Sequence, residues 1–469
     1  MNIIEMLKDG NYQKHVVDAY ELALKVQPNI NAVVTFIDPC KQLEEVKDGK
    51  LKGIPVALKD NVNTKGIKTT ASSKILENYI PVYDATIVKK LKDAGAVMIA
   101  KTSMDELAMG GTNLSAATGP VYNPYDVTRI SGGSSGGSAA IVASGVVPLA
   151  IGSDTGDSIR KPASFCGVVG VKPTYGRISR YGIIPYASSL DHVGYFTRNV
   201  KDAALALEVL AGYDPMDATS SQREVPEYSK LINSDITGKK VIVFKNVLNH
   251  MDNEETLVLF QRVIDGLKEK GAIVKEVTFN EELMKAILPT YHVIANCEAT
   301  ANHSNLDGIR FGNKQEGSDT FEIMCNTRSQ GLSSSIRKRF VIGSYALFEE
   351  NQEKYLKQAQ RVRRMIVEEV ASNLKDADVL IAPASNDAAP KMEDVLAKHV
   401  EEDLVAENHM VFANFSGYPS MTLPMGYIHQ HLPVGVNITA NAFKEVDMFS
   451  IGSVIEEITG LKDTYMEVK

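Results

Sequence analysis

Strand-like and helix-like stretches alternate along this chain, and no other feature restricts its fold so strongly. Asp84-Ala85-Thr86 reads as a helix N-cap, Ile87, Val88 and Leu91 follow at helical spacing, and Gly95 reads as the stop. Residues 96–100 (AVMIA) then form a short apolar run, the mark of a buried strand. The pattern returns later. KVIVF (240–244) reads as a strand, Leu257, Phe260, Ile264 and Leu267 share one helix face, Gly271 ends it, and AIVKEVTF (272–279) is a strand again. ADVLIAP (377–383) is a further buried strand. A helix between two strands is the crossover of parallel sheets, so the rhythm predicts an α/β fold with helices over a largely parallel or mixed sheet. Residues 213–238 are polar and turn-rich and read as a surface connection. Residues 345–374 read as one long amphipathic helix whose basic middle (Arg361, Arg363, Arg364) is a solvated face.

Composition narrows the function classes. At 469 residues and 44% hydrophobic, the chain is long enough to bury a sizeable core, and a net charge of −8 argues against a large basic surface for free nucleic acid. The start, MNIIEMLKDGN, lacks a basic region followed by an apolar run, and no apolar stretch is long enough to span a bilayer. A cytoplasmic location is the expectation. Cys40, Cys166, Cys297 and Cys325 form no C-x-x-C pair, so they are expected to be buried, reduced thiols rather than a metal site.

Three stretches carry candidate chemistry. ISGGSSGGSAAIVASG (130–145) has linker composition but runs straight into an Ala-rich, helix-like segment. A Gly-rich turn feeding a helix aims backbone N–H groups at one point. No lysine follows the glycines, so it is not a phosphate loop, and it does not match G-x-G-x-x-G. In GIPVALKDNV (53–62), Lys59 ends an apolar strand-like run; it is either a lysine reaching out to water or, if desolvated, a general base. V-A-L-K resembles the strand lysine of protein kinases, but a Gly-rich loop should precede it, and no H-R-D or D-F-G follows. GSDTGDSIRKP (152–162) contains D-T-G, yet an aspartic protease needs two such acids and no second copy exists. Ser158 is then a candidate nucleophile and Asp154 a structural acid. G-x-S-x-G is absent, and His192, beside Asp191, reads as a structural hydrogen-bonder.

Taken together, GIPVALKDN (53–61), GGSSGGSAA (132–140), GSDTGDSIRKPASFCGVVGVKPTYGR (152–177) and SSLDHVGYFTRNV (188–200) resemble the amidase signature family. Within it, MDELAMGGTN (104–113), NPYDVTR (123–129) and YGRISRYGIIPYASSLD (175–191) resemble the A subunits of glutamyl-tRNA(Gln) amidotransferases. The likeness covers nearly the whole chain, is dense between 53 and 200, and thins beyond 280. It implies a single α/β amidase signature unit over 1–469: a large mixed sheet covered by helices on both faces. The catalytic core would be about 50–200, with a helical substrate-side insertion at about 281–375.

The resemblance also implies roles. Lys59, Ser134 and Ser158 fall at the positions of the family's Lys–Ser–Ser triad. Ser158 would attack the glutamine carboxamide, Ser134 would pass the proton to neutral Lys59, and a cis peptide would join Gly133 to Ser134. The N–H groups of Thr155, Gly156, Asp157 and Ser158 would form an oxyanion hole, each donor worth about 3 kcal/mol of barrier. Tyr291, Arg339 and Glu407 would hold glutamine, Arg339 at its α-carboxylate. The ammonia would pass to an ATP- and Mg²⁺-using, tRNA-binding B subunit, assembled with a small C subunit, to turn Glu-tRNA(Gln) into Gln-tRNA(Gln). This chain itself would bind no cofactor, metal or membrane. A stand-alone amidase and a weakened scaffold protein share the same residues.

Two positions depart from the family's pattern. Glu407 stands where the family has aspartate, and Asp157 where it has glycine in G-G-S. A carboxylate about 5 Å from a developing oxyanion, at an effective dielectric near 20, would oppose it by roughly 3 kcal/mol, the worth of one donor.

Overall fold

The computed structural model describes residues 1–397 and 408–468. Its strands, in chain order, are β1 (Val33–Phe36), β2 (Pro55–Lys59), β3 (Val97–Thr102), β4 (Tyr122–Asn123), β5 (Asp126–Ile130), β6 (Leu149–Asp154) and β7 (Val169–Lys172). β8 (His192–Thr197), β9 (Lys240–Phe244), β10 (Ile273–Val277), β11 (Val379–Pro383), β12 (Ser420–Ile428) and β13 (Leu432–Ala440) follow. Among the described residues, β4 and β5 pair alone and the rest form one eleven-stranded sheet, in the order β1-β3-β2-β6-β8-β7-β12-β13-β11-β9-β10. The β3-β2-β6 and β11-β9-β10 runs are parallel and the remaining pairs antiparallel, so the sheet is mixed.

The side-chain period of two sorts strand residues onto the two faces of the sheet. Val56 and Leu58 of β2, Val241 and Val243 of β9, and Val379 and Ile381 of β11 enter one apolar cluster. The residues between them go the other way: Ala57 into a second cluster, Ile242, Phe244, Leu380 and Ala382 into a third. Helices Thr86–Asp93, Val200–Leu210, Glu254–Glu269 and Glu445–Thr459 cover the first face. Helices Tyr12–Ile30, Gly136–Ala143, Ile287–Asn302, Ser334–Leu347 and Gln358–Leu374 cover the other.

Several local expectations are corrected. The stretch 345–374 is not one helix. It breaks at Phe348, whose backbone is extended, then passes through Glu349–Gln352 and a wide π-turn at Glu353–Lys357 into Gln358–Leu374. Amides close the break: Asn351 Nδ2 donates to the Tyr345 carbonyl (2.9 Å) and Gln352 Nε2 to that of Leu347 (2.8 Å). Arg363 is not solvated either, because its guanidinium donates to the Phe415 carbonyl and to Ser189. Strand 272–279 shrinks to Ile273–Val277 and is largely exposed, as an edge strand is. All four cysteines are free thiols, but only Cys166 and Cys297 are buried.

β2 and β6 are parallel neighbours, with Leu58 opposite Ile151. Their carboxyl ends therefore open side by side, where open α/β sheets place their ligands. Lys59 ends the first strand; Ser153 and Asp154 end the second.

Candidate active site

The site is built from two turns laid against those strand ends. The first is the Gly-Ser turn. Gly132 sits at φ +76°, the Gly133–Ser134 peptide is cis, and helix Gly136–Ala143 follows, buried along its length. A side chain at Gly133 would place Cβ 2.0 Å from Asp105 Oδ2, so only glycine fits. Asp105 in turn accepts from the N–H groups of Thr112 and Asn113, and its own N–H donates to the Ser134 carbonyl.

Lys59 enters this turn fully buried. Its Nζ donates to Ser134 Oγ (2.8 Å), Ser135 Oγ (2.8 Å) and Ser153 Oγ (2.9 Å). Burial lowers its amine to about 7, against the opposing negative charges of Asp105, Asp154 and Asp191. A buried amine poised there, bonded to a serine hydroxyl, is suited to accept and return a proton near neutral pH.

The second turn is 154–160. Arg160 is fully buried and binds Asp154 through two nitrogens, Nη2 to Oδ1 (2.9 Å) and Nε to Oδ2 (3.1 Å). It also donates to the carbonyls of Gly156 and Met410 and to Asn414 Oδ1. Burial would push the Asp154 carboxyl up, but the guanidinium and the Asn414 amide outweigh it and hold the group well below the usual carboxylate range. Asp154 is thus structural, as its sequence context suggested. The Ser135 N–H donates to the Ser158 carbonyl (3.2 Å), which joins the two turns. Among the described residues, the N–H groups of Thr155, Gly156, Asp157 and Ser158 find no acceptor in the protein. Four consecutive unspent donors in one turn make a concavity able to receive an anionic oxygen.

The Asp157 carboxylate turns toward Lys161, one helical turn on, with Oδ2 to Nζ at 3.5 Å. Burial pushes this carboxyl up, against the pull of the Lys161 ammonium.

Two of the three more distant candidates, Tyr291 and Arg339, converge as well. Tyr291, on helix Ile287–Asn302, packs on Gly156 so closely that a Cβ there would lie 3.1 Å from its ring. Arg339, on helix Ser334–Leu347, donates through Nη1 to Tyr186 Oη (3.3 Å), and the Tyr186 and Tyr291 phenols face each other. Asp191 ties this group to the second turn, accepting from the Tyr186 N–H (2.7 Å) and from Thr155 Oγ1 (2.7 Å). Glu407 lies outside the described residues. Sequence reading missed Ser135, Ser153, Asn61, Tyr186 and Arg160; only Ser135 carried a signal, its place in the Gly-Ser block. Among the described residues, no cluster of His, Cys, Asp or Glu is placed to hold a metal ion, and no helix is long and apolar enough to cross a membrane.

With this geometry in place, comparison with known proteins is direct. The model of the Amidase family matches residues 16–449. The chain is 42% identical over 454 residues to the A subunit of the glutamyl-tRNA(Gln) amidotransferase of Koribacter versatilis, covering 96% of this chain and 92% of that one. The crystal structure of the glutamyl-tRNA(Gln) amidotransferase A subunit from Thermotoga maritima superposes with a TM-score of 0.83 at 35% identity, over 100% of this chain and 98% of the other. Peptide amidase from Stenotrophomonas maltophilia superposes with a TM-score of 0.82 at 27% identity, over 98% and 96%. From its sheet, its two turns and these matches, the chain belongs to the amidase family, the amidase signature enzymes.

Proposed function

We propose that this chain is the glutamine-hydrolysing subunit of a tRNA-dependent amidotransferase. Lys59 within 2.8 Å of Ser134, on a turn bonded to the backbone of Ser158, is the observation that carries the chemistry. The 42% identity to an amidotransferase A subunit supports the substrate. Ser158 Oγ attacks the glutamine δ-carbon, its proton passes through Ser134 to neutral Lys59, and the N–H groups of 155–158 receive the oxyanion. Lys59 returns the proton to the departing ammonia, and water hydrolyses the glutamyl ester by the same relay. Tyr291 and Arg339 hold the amino-acid end, Arg339 at the carboxylate, with Glu407 at the ammonium. Ammonia passes to the tRNA-binding B subunit, assembled with the small C subunit; ATP and Mg²⁺ act there and not on this chain.

The test is glutamate release from glutamine by the chain alone and with the B and C subunits and charged tRNA. Activity that rises with the complex supports the proposal. Robust hydrolysis of simple aliphatic or aryl amides by the lone chain, without stimulation, contradicts it in favour of a stand-alone amidase.

Two further outcomes follow. Because Lys59 must be neutral to act, the acylation rate is expected to rise about tenfold per pH unit on the acid side and to level off above pH about 7. Single-turnover ammonia release across pH reads this, and a flat profile contradicts it. The sign for stability is separate. Between about 7 and the ordinary lysine value the unfolded chain holds a proton that the folded one lacks, so this group's destabilisation shrinks as pH rises. The second concerns Asp157. With its charge drawn toward Lys161, Asp157→Gly is expected to change turnover by less than about tenfold, or ~1.4 kcal/mol. A much larger gain in kcat would mean that the natural residue suppresses the site.

A further inference from the structure

A cavity of about 310 Å³ reaches Ser153, a hydrogen-bond partner of Lys59, by a route that does not include the serines of the triad. Ser153 and Asn61, both buried, lie on its wall, as does Met216, which is 60% exposed. Ser134, Ser158, Tyr291 and Arg339 are not part of its lining, and it meets the substrate-side group at Tyr186 and Asp191.

The polar atoms on this wall are incompletely bonded. Asn61 Oδ1, His192 Nε2 and Arg180 Nε are buried and have no protein partner, although Asn61 and His192 are only 2% and 3% exposed. The His192 Nδ1 lies 2.6 Å from the Leu190 carbonyl, so it carries the ring proton and leaves Nε2 a bare acceptor. Ser153 Oγ accepts from Lys59 Nζ (2.9 Å) and from Asn61 Nδ2 (3.1 Å), so its own proton must be donated onward. Orphaned buried polar atoms on the wall of a roomy cavity are the setting in which structural water is held. The charged groups on the wall are Arg180, Asp191 and Asp217, so the single cation faces acids.

The reaction needs such a route, if the function proposed above is right. Glutamine and water yield the glutamate carboxylate, neutral ammonia and one proton. The C–N bond breaks, the new C–O bond forms, and Ser158 recovers its hydrogen. The water's second hydrogen stays on the new γ-carboxyl group, and ammonia that is to act as a nucleophile elsewhere cannot carry it away. As that acid ionises, the neutral Lys59 amine, a stronger base than a carboxylate, takes the proton through the serines, so each turnover ends with one proton on Lys59. We propose that this cavity is a water-filled proton outlet, running from Lys59 through Ser153 to waters held by Asn61 and His192, and out past Arg180.

The experiment uses the complete complex and rapid-mixing assays of ammonia. In His192→Ala, the first equivalent of ammonia is expected at the wild-type rate. Later turnovers then fall on the order of tenfold, part of what a positioned proton carrier contributes, and added imidazole restores them. Ile184→Trp, which fills the cavity from another wall, is expected to give the same burst and slow steady state without rescue. Unchanged steady-state turnover in both variants overturns the outlet. So does a first equivalent slowed in step with the later ones and indifferent to imidazole, which would make His192 a packing residue or the cavity the path of ammonia itself. Unchanged turnover leaves glutamine hydrolysis standing and overturns the outlet alone, whereas the absence of any glutamyl ester on Ser158 removes the reading beneath it.

Discussion

Ser158→Ala is expected to leave the fold intact and to lower glutamate release by about four orders of magnitude or more, the loss seen when the nucleophile of an interdependent triad is removed. Ser158 is 5% exposed, so the loss of one oxygen opens no cavity of consequence. Its backbone carbonyl still holds the Ser135 N–H, so the two turns remain joined. Lys59 and Ser134 stay bonded to each other but have no proton to move. The oxyanion donors remain and sustain only residual hydrolysis. Thermal unfolding should shift little, and the loss should appear in kcat rather than in KM for glutamine. A variant that keeps a tenth or more of wild-type turnover would place the nucleophile elsewhere.

The largest effect on stability is expected at Asp154. Asp154→Ala strips Arg160 of its counter-charge at a site where both side chains have no exposure. Breaking a buried ion pair from one side costs about 3–5 kcal/mol, because the remaining charge is left without compensation. That is a large share of the roughly 5–15 kcal/mol that holds a folded protein together. Other bonds fall with it: the Ile159 N–H donates to Asp154 Oδ2 and the Asn414 amide to Oδ1. Arg160 also holds the Gly156 carbonyl at 2.6 Å, so the turn that presents Ser158 should loosen as well. Thermal unfolding of Asp154→Ala, with glutamine turnover measured well below its transition, checks both effects. Destabilisation below about 1 kcal/mol, within the range of an exposed pair, would contradict the reading of this pair as the anchor of the turn.

These two outcomes mark how far the sequence could be read. The alternation of strand and helix signals reached the α/β class, and KVIVF at 240–244 became β9 without change, because a short apolar run between turns has few other solutions. Lys59 at a strand end and the glycines before Ser134 and Ser158 were legible from local pattern, since each is dictated within a few residues. Arg160 was not. A charged residue reads as surface, and what buries it is Asn414, distant in sequence, together with the Met410 carbonyl. Ser153 and Asn61 look like ordinary polar residues at strand ends, and only the parallel pairing of β2 with β6 brings them to one amine. Arg363 misled in the same way, its basic neighbours suggesting solvent while two carbonyls held it inward. The break at Phe348 rests on amides that cap carbonyls across it, and helical periodicity carries no trace of that.

The central claim is a covalent glutamyl ester on Ser158. The complex, acid-quenched during glutamine turnover and digested, is to be analysed by mass spectrometry of the peptide that carries GSDTGDSIR. The account predicts one γ-glutamyl group on Ser158, absent in Ser158→Ala and removed by incubation without glutamine. Glutamate release with that peptide unmodified throughout, or with the acyl group on another residue, would contradict it.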